Sequence, residues 1–431
     1  MTFDRLLLVV TIALGLVACD SAPPPPTAEA PKAAPPPAAP VEPEATAPHA
    51  TAAVDAAAGA SFGTVEQVPA GPQPHWVWVA DPNLGGMPDG RAYLIDGDSG
   101  RFLGMLNTGF SFNALTLPRH YREIYSAETY YSRHTRGERT DVVSVYDPVR
   151  LAPIAEIRLP AKRASTLPRL YDTAITDDDR FMAVFNITPA TSLSIVDVAS
   201  HTFAGEIETP GCAMAYPAGA RRIFALCTDG SALLVTLDDA GRAAAKIASA
   251  PFFDVQKDPI TETGVRDGDR WWFASVDGWL HPVDLSGAEP VPGERWSLLS
   301  EEDRAADWRI GGNQHLALHR ASGRLYSIMH QGEHWSYQEP GPEIWVYDLN
   351  TRERVARIAA VHPALSIEVT QDAAPLLFSI AVDEQALHVY DALSGERLRS
   401  VEGLGATLSL LQAPWQPEAP ASQNSTAGTG S

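Results

Sequence analysis

YLIDGDSGRFLGML, residues 93–106, can be read in two ways. Gly97-Asp98-Ser99-Gly100 spells the surroundings of the nucleophile in one class of serine proteases. It also spells a tight turn between two alternating apolar runs. The rest of the chain decides between them. The same phrase (an alternating run, an Asp, a short polar turn, a second alternating run) returns as VSVYDPVRLAPIAEIRLP at 143, LSIVDVASHTFAGEIETP at 193, ALLVTLDDAGRAAAKIASAP at 232, WLHPVDLSGAEPVPGERW at 279, EIWVYDLNTRERVARIAA at 343 and LHVYDALSGERLRSVEGL at 387. GDSG therefore occupies the turn of a repeat, where Gly and Asp supply backbone angles that other residues resist. A catalytic serine would also need a base and an orienting acid, in a different fold.

The anchors Asp96, Asp147, Asp197, Asp238, Asp284, Asp348 and Asp391 are 51, 50, 41, 46, 64 and 43 residues apart. Alternation of period two marks half-buried strands, and polar turns between such runs mark hairpins. Repeats of about 40–50 residues are the signature of propeller blades. Seven repeats predict an all-β, seven-bladed β-propeller with four-stranded antiparallel blades. Neighbouring blades must cover each other's faces, and closure hides the sheet edges. The long interval before Asp348 signals an insertion. Within it SLLSEEDRAADW, Ser297–Trp308, has a Ser cap, early acids and no β-branched residue, which predicts a short helix.

The propeller is expected to fill residues 63–413. Before it, Leu6–Ala18 is an uncharged apolar run too short to span a bilayer, and it reads as the core of an export signal covering residues 1–19. Leu16-Val17-Ala18-Cys19 resembles the bacterial lipoprotein box, in which Cys19 would be acylated; an ordinary cleaved signal with an incidental Cys19 is the alternative. Asp20 resembles the signal that retains such lipoproteins on the inner membrane. Residues 20–62 are rich in Pro and Ala, with eleven prolines between Pro23 and Pro48, and predict a disordered tether. Residues 414–431 read as a disordered tail. The location expected is periplasmic, with a lipid anchor to the inner membrane through Cys19. If Cys19 carries lipid, Cys212 and Cys227 are an even pair in an oxidising compartment. A disulfide is then the default and two buried thiols the alternative.

A net charge of −21 opposes phosphate binding and excludes nucleic acid as a partner. His315 and His319 stand four apart in strand-like sequence and read as core or turn residues rather than metal ligands. His330 and His334 flank MHQGEHW and read as exposed residues of a hairpin tip. Arg133–Arg139, RHTRGER, reads as a solvated or interface loop. There is no Cys-x-x-Cys-His for covalent haem and no phosphate-cradling glycine loop. Gly109-Phe110-Ser111-Phe112-Asn113 sets two aromatics beside a glycine at an expected strand end, where packed core and binding wall are both open. No nucleophile, acid/base pair or cofactor motif is evident. From the residues alone, a non-enzymatic binding or scaffold propeller is a full alternative.

Several segments together resemble the heavy subunit of the quinoprotein amine dehydrogenases. They are Thr135–Asp141 with Tyr146-Asp147-Pro148, Pro189-Ala190-Thr191-Ser192 before Asp197, Gly211-Cys212 with Cys227, Trp296–Leu299 running to Trp308, Gly311-Gly312, and Leu318–Tyr326. PATS, WSLL and HRASGR lean towards the aromatic amine branch, which is related to methylamine dehydrogenase. The resemblance implies a seven-bladed heavy chain with a Cys212–Cys227 disulfide. It also implies a small disulfide-rich light subunit in a two-plus-two heterotetramer, bearing tryptophan tryptophylquinone and the catalytic carboxylate. Oxidative deamination of a primary amine, aromatic or arylalkyl, to aldehyde and ammonia would follow, with electrons passing to a blue-copper protein such as azurin or amicyanin. This chain would hold no catalytic residue, no cofactor and no metal. Phe110 would line the substrate channel, with Phe112 as its neighbour.

Overall fold

The computed structural model describes residues 67–86 and 89–414. The expected leader with Cys19, the tether up to residue 62 and the tail beyond 414 lie outside the described residues. The fold is all-β: every strand ladder is antiparallel, and among the described residues the strands form six hydrogen-bonded sheets. Trp76–Asp81, Gly90–Asp96 and Phe102–Gly109 form the first sheet, together with the distant Leu410–Gln412. Ile124–Arg133, Arg136–Asp147 and Ala152–Leu159 form the next. The pattern then continues around a propeller of four-stranded antiparallel blades.

The expectation of seven four-stranded blades is corrected: the propeller has five, since of its six sheets five have four strands or more and one has three. Two local causes account for the difference. The strand Glu353–Val369 runs unbroken for 17 residues, pairing with Gly341–Asp348 through its first half and with Leu376–Ala381 through its second. The repeats at 343 and 387 therefore share one eight-stranded sheet. In the three-stranded sheet, the inner position is occupied by the segment 110–123, which meets the strand Ile124–Arg133 only at the isolated bridges Phe110–Thr129 and Thr116–Tyr125 and forms no continuous ladder. Pro118 lacks an N–H to extend that ladder, and Tyr121 adopts a left-handed φ of 45°.

The repeated Asp has a clear physical role. At Asp147, Asp348 and Asp391 a side-chain oxygen accepts backbone N–H groups two and three residues ahead, from Val149 and Arg150, Asn350 and Thr351, and Leu393 and Ser394. Each carboxylate caps the turn between the two outer strands of its repeat, satisfying donors the ladder leaves unpaired. GDSG behaves in the same way: the Ser99 hydroxyl donates to Asp96 and Gly100 has φ 71°.

Alternation buries one apolar row on each sheet face, and the rows pack between neighbours. Trp76, Trp78 and Leu94 meet Ile124 and Tyr146; Tyr125 and Val143 meet Val184 and Val196; Phe181 and Ile195 meet Ile223 and Val235. Tyr216, Phe224 and Leu234 meet Trp271 and Phe273, and Trp272 and Leu280 meet Leu325 and Trp345. Finally Phe378 and Leu387 pack on Val77, Val79 and Leu411. The last sheet thus covers the first. Each large side chain so buried is worth about 1.5–3 kcal/mol, which a single exposed sheet would forgo.

Closure is made by Leu410–Gln412, which pairs with Trp78–Ala80. Asp81, 2% exposed, clamps the seam by accepting from the backbone N–H groups of Asn83, Ala406 and Thr407 and from the hydroxyls of Thr407 and Tyr93. Burial pushes its carboxyl up, but these donors outweigh burial and hold it below the usual range. The sulfurs of Cys212 and Cys227 are bonded across directly paired positions of neighbouring strands. The expected helix is shorter than predicted, Glu301–Ala305, and its cap is Ser300, reciprocated by Asp303. Ser297 lies instead in the two-residue strand Trp296–Ser297.

His75 bridges the same seam, with Nδ1 2.7 Å from Asp98 in the GDSG turn and Nε2 3.0 Å from Asp372, before the strand Leu376–Ala381. Burial lowers the imidazole pKa, but hydrogen bonding to Asp98 and the charge of Asp372 outweigh it and raise the pKa above 6.5. The bridge therefore contributes fully below the unfolded-state value and is lost as pH rises through the folded one. Between about pH 6 and 8 the unfolding free energy should fall by about 0.5–1 kcal/mol more in the wild type than in His75→Gln. Equal slopes in denaturant titrations of the two proteins would remove this bridge from the closure.

Candidate functional site

The strand Phe102–Gly109 ends where Gly109 turns the chain with φ 56°. A Cβ there would sit 3.0 Å from the Tyr130 ring, so only glycine serves both the angle and the contact. The chain then presents Phe110, half-buried, and Phe112, buried. Their rings meet edge to face at 5.0 Å, and Phe110 also meets Tyr131 edge-on at 6.2 Å. Such pairs add about 0.5–1.5 kcal/mol beyond burial and fix ring orientation. Because each strand reverses direction, this aromatic group lies at the opposite sheet edge from the Asp96 turn, about 25 Å away along the eight-residue strand.

Beneath it is a charge network that sequence reasoning missed. Arg163, 1% exposed, donates from Nη2 to the Phe110 carbonyl at 2.5 Å, from Nη1 to Asn113 Oδ1 at 3.2 Å and to the Ala164 carbonyl at 3.0 Å, and from Nε to Thr129 Oγ1 at 2.8 Å. Burial pushes its pKa down to about 10, which leaves it a cation at neutral pH. Asp141, also buried, accepts the Arg163 backbone N–H at 3.0 Å, the Thr129 hydroxyl at 2.9 Å and two bonds from Arg139 at 2.8 and 2.9 Å. Arg139 belongs to the segment 135–141 singled out in the sequence; the tip it comes from, residues 133–138, is exposed as expected, while its own side chain turns inward. Arg163 itself sits in the polar linker PAKRAS and carries no pattern of its own. The one available signal was Asp141, an acid directly beside the apolar pair Val142-Val143, which needs a partner if it is buried with them.

A second buried acid, Glu128, accepts hydroxyl donors from Tyr130, Ser144 and Tyr146. Burial raises its carboxyl, although the three hydroxyls oppose that rise. The Ser111 hydroxyl is committed to Asn113 Oδ1. The group around Phe110 thus offers an apolar wall with its polar atoms already engaged. It can shape a channel and exclude water, and it supplies no nucleophile.

The histidines fall elsewhere. His315 bonds Thr261, and burial holds it down at about 4; His319 bonds Ser322 and the Asp372 carbonyl. His330 corrects the exposed-tip reading: it is buried near the end of the strand Arg324–Gln331, with Nε2 2.8 Å from Ser336. The tip proper begins after it, and position 330 still belongs to the strand, whose residues 325–330 are all buried. His334 also departs from the exposed reading: it is half-buried, with Nδ1 3.2 Å from Asp277. No group of three potential metal ligands occurs among the described residues.

Fold and site together define a β-propeller with an aromatic group, Phe110, Phe112 and Tyr131, set over a buried charge network. Residues 74–413 match the family described as methylamine dehydrogenase heavy chain, and the chain belongs to that family. It is 33% identical over 319 residues to the methylamine dehydrogenase heavy chain of Paracoccus versutus, covering 73% of this chain and 74% of that one. It is 28% identical over 342 residues to that of Methylophilus methylotrophus, covering 78% and 82%. The β-propeller domain of Cps50 (Swd1) from Myceliophteria thermophila superposes with a TM-score of 0.52 at 12% identity, over 77% of this chain and 98% of that one, a likeness of fold alone. The chain is therefore a heavy subunit of the amine dehydrogenase type, an oxidoreductase component. Both relatives act under the methylamine name, and neither supports the lean towards the aromatic branch.

Gly109→Ala should lower the unfolding free energy by about 1–2 kcal/mol, from the left-handed backbone and the Tyr130 contact together. Unchanged denaturation by tryptophan fluorescence would contradict the tight turn.

Proposed function

We propose that this chain is the propeller subunit of a periplasmic amine dehydrogenase, tethered to the inner membrane through Cys19, and that the edge bearing Phe110 receives a small disulfide-rich light subunit. The family match over residues 74–413 carries the reading. Tryptophan tryptophylquinone on the light subunit would supply the oxidation of the amine, and a blue-copper protein would take the electrons. The residues here fit such a group on a partner: an apolar ring faces outward, its neighbours are fixed by aromatic contacts, and the nearby polar atoms are engaged within this chain. Phe110 would exclude water beside the reacting carbon and discriminate amines by shape, and Phe112 would hold it from behind. Two chains of each kind and a preference for aromatic or arylalkyl amines complete the proposal.

Purification of the full chain from its native host should bring down a small cysteine-rich protein and a visible quinone absorption that bleaches on adding phenethylamine. A preparation without chromophore, or one indifferent to every amine, would instead favour a scaffold propeller.

A further inference from the structure

We propose that Arg163 is a positioning residue for amine selectivity, fixing the wall formed by Phe110 through that residue's backbone carbonyl; this rests on the reading of Phe110 as part of the amine channel. The five-residue turn 109–113 is tied at two points to one guanidinium, at the Phe110 carbonyl and at Asn113 Oδ1. Without Arg163 the Phe110 carbonyl keeps a single hydrogen bond, from the Thr129 backbone N–H at 3.2 Å. The ring contacts orient Phe110 only relative to Phe112 and Tyr131, and two of these three rings ride on the same turn.

Arg163 is itself located by charge. Its backbone N–H is held by Asp141 and its carbonyl accepts from Arg139 Nη2 at 2.8 Å. The strand Arg136–Asp147 therefore sets the position of Arg163, and Arg163 sets the position of Phe110. The planar fork matters: Nη2 and Nη1 reach the turn at residues 110 and 113, while Nε reaches the strand Ile124–Arg133 at residue 129. A lysine has one charged nitrogen and cannot span them. Burying a cation costs free energy that an apolar residue of similar volume would not incur. The observed arrangement spends that cost on four acceptors, two of which lie in the turn carrying Phe110.

The test uses the assembled heavy–light complex and the heavy chain alone. In the complex, Arg163→Lys should change the ratio of kcat/KM for phenethylamine to that for methylamine by about tenfold, as small displacements of a positioning group do. Phe110→Ala should also change the ratio, and the double variant should match Phe110→Ala, because Arg163 acts through that ring. In the heavy chain alone, amide exchange at Thr129 should accelerate about tenfold in Arg163→Lys, reporting a loosened Phe110 carbonyl. Thr129→Val keeps side-chain volume and removes the Nε acceptor together with the hydroxyl that donates to Asp141, both of them bonds that locate Arg163, so it serves if Arg163→Lys fails to assemble, with an expected change of about threefold in the ratio. A ratio within about twofold of wild type in both variants, or effects that multiply in the double variant, would overturn the proposal while leaving the Phe110 reading intact. If Phe110→Ala itself leaves the ratio unchanged, the parent reading fails and this one with it.

Discussion

Everything in this molecule depends on ring closure. The strand Leu410–Gln412 must return to Trp76–Asp81, more than three hundred residues away in sequence, before the last sheet can cover the first. Three short backbone pairings would not hold such a loop closed. Asp81 adds five accepted hydrogen bonds at the same place, and the Gln314 side chain reaches across to both the N–H and the carbonyl of Leu411. Once the seam is shut, every sheet has two neighbours and every apolar face has a cover.

Closure also explains why the aromatic group near Phe110 can be exact in geometry although it lies in a connection between sheets. A connection on an open sheet would be mobile. Here the segment 110–123 is held between the first sheet and the second, bridged at Phe110–Thr129 and Thr116–Tyr125, and it touches the following linker at Asn113–Arg169. The buried Arg139–Asp141–Arg163 network then supplies direction as well as cohesion. In this subunit electrostatics places an apolar ring: the buried cation holds the backbone of the turn that carries Phe110.

The parts of this fold that were legible in the sequence are those with a local cause. Every turn Asp accepts at least one backbone N–H from the residues just ahead of it, and Asp147, Asp348 and Asp391 accept two, so the residue recurs at the same place in each repeat and the recurrence is visible without coordinates. The Cys212–Cys227 disulfide was legible as the default pairing of the two cysteines within the repeats. Blade separation was not: whether Glu353–Val369 bends or runs on is decided by pairing on both sides, and a period count cannot see that. His330 was misplaced by one strand end. At the site, Phe110 was marked by the glycine before it and by family resemblance, while Arg163 stayed hidden because its acceptors come from residues 110, 113, 129 and 164, and only folding brings most of them together.

The central claim is that the edge carrying Phe110, and not the edge carrying the Asp turns, meets the quinone-bearing partner. Backbone hydrogen exchange of the heavy chain, compared alone and in complex with the small subunit, addresses it directly. Added protection is expected at residues 109–113 and along the hairpin tip 131–138, with none at 97–100, 148–151 or 349–352. Protection confined to those Asp turns would place the partner on the opposite edge and contradict the role assigned to Phe110.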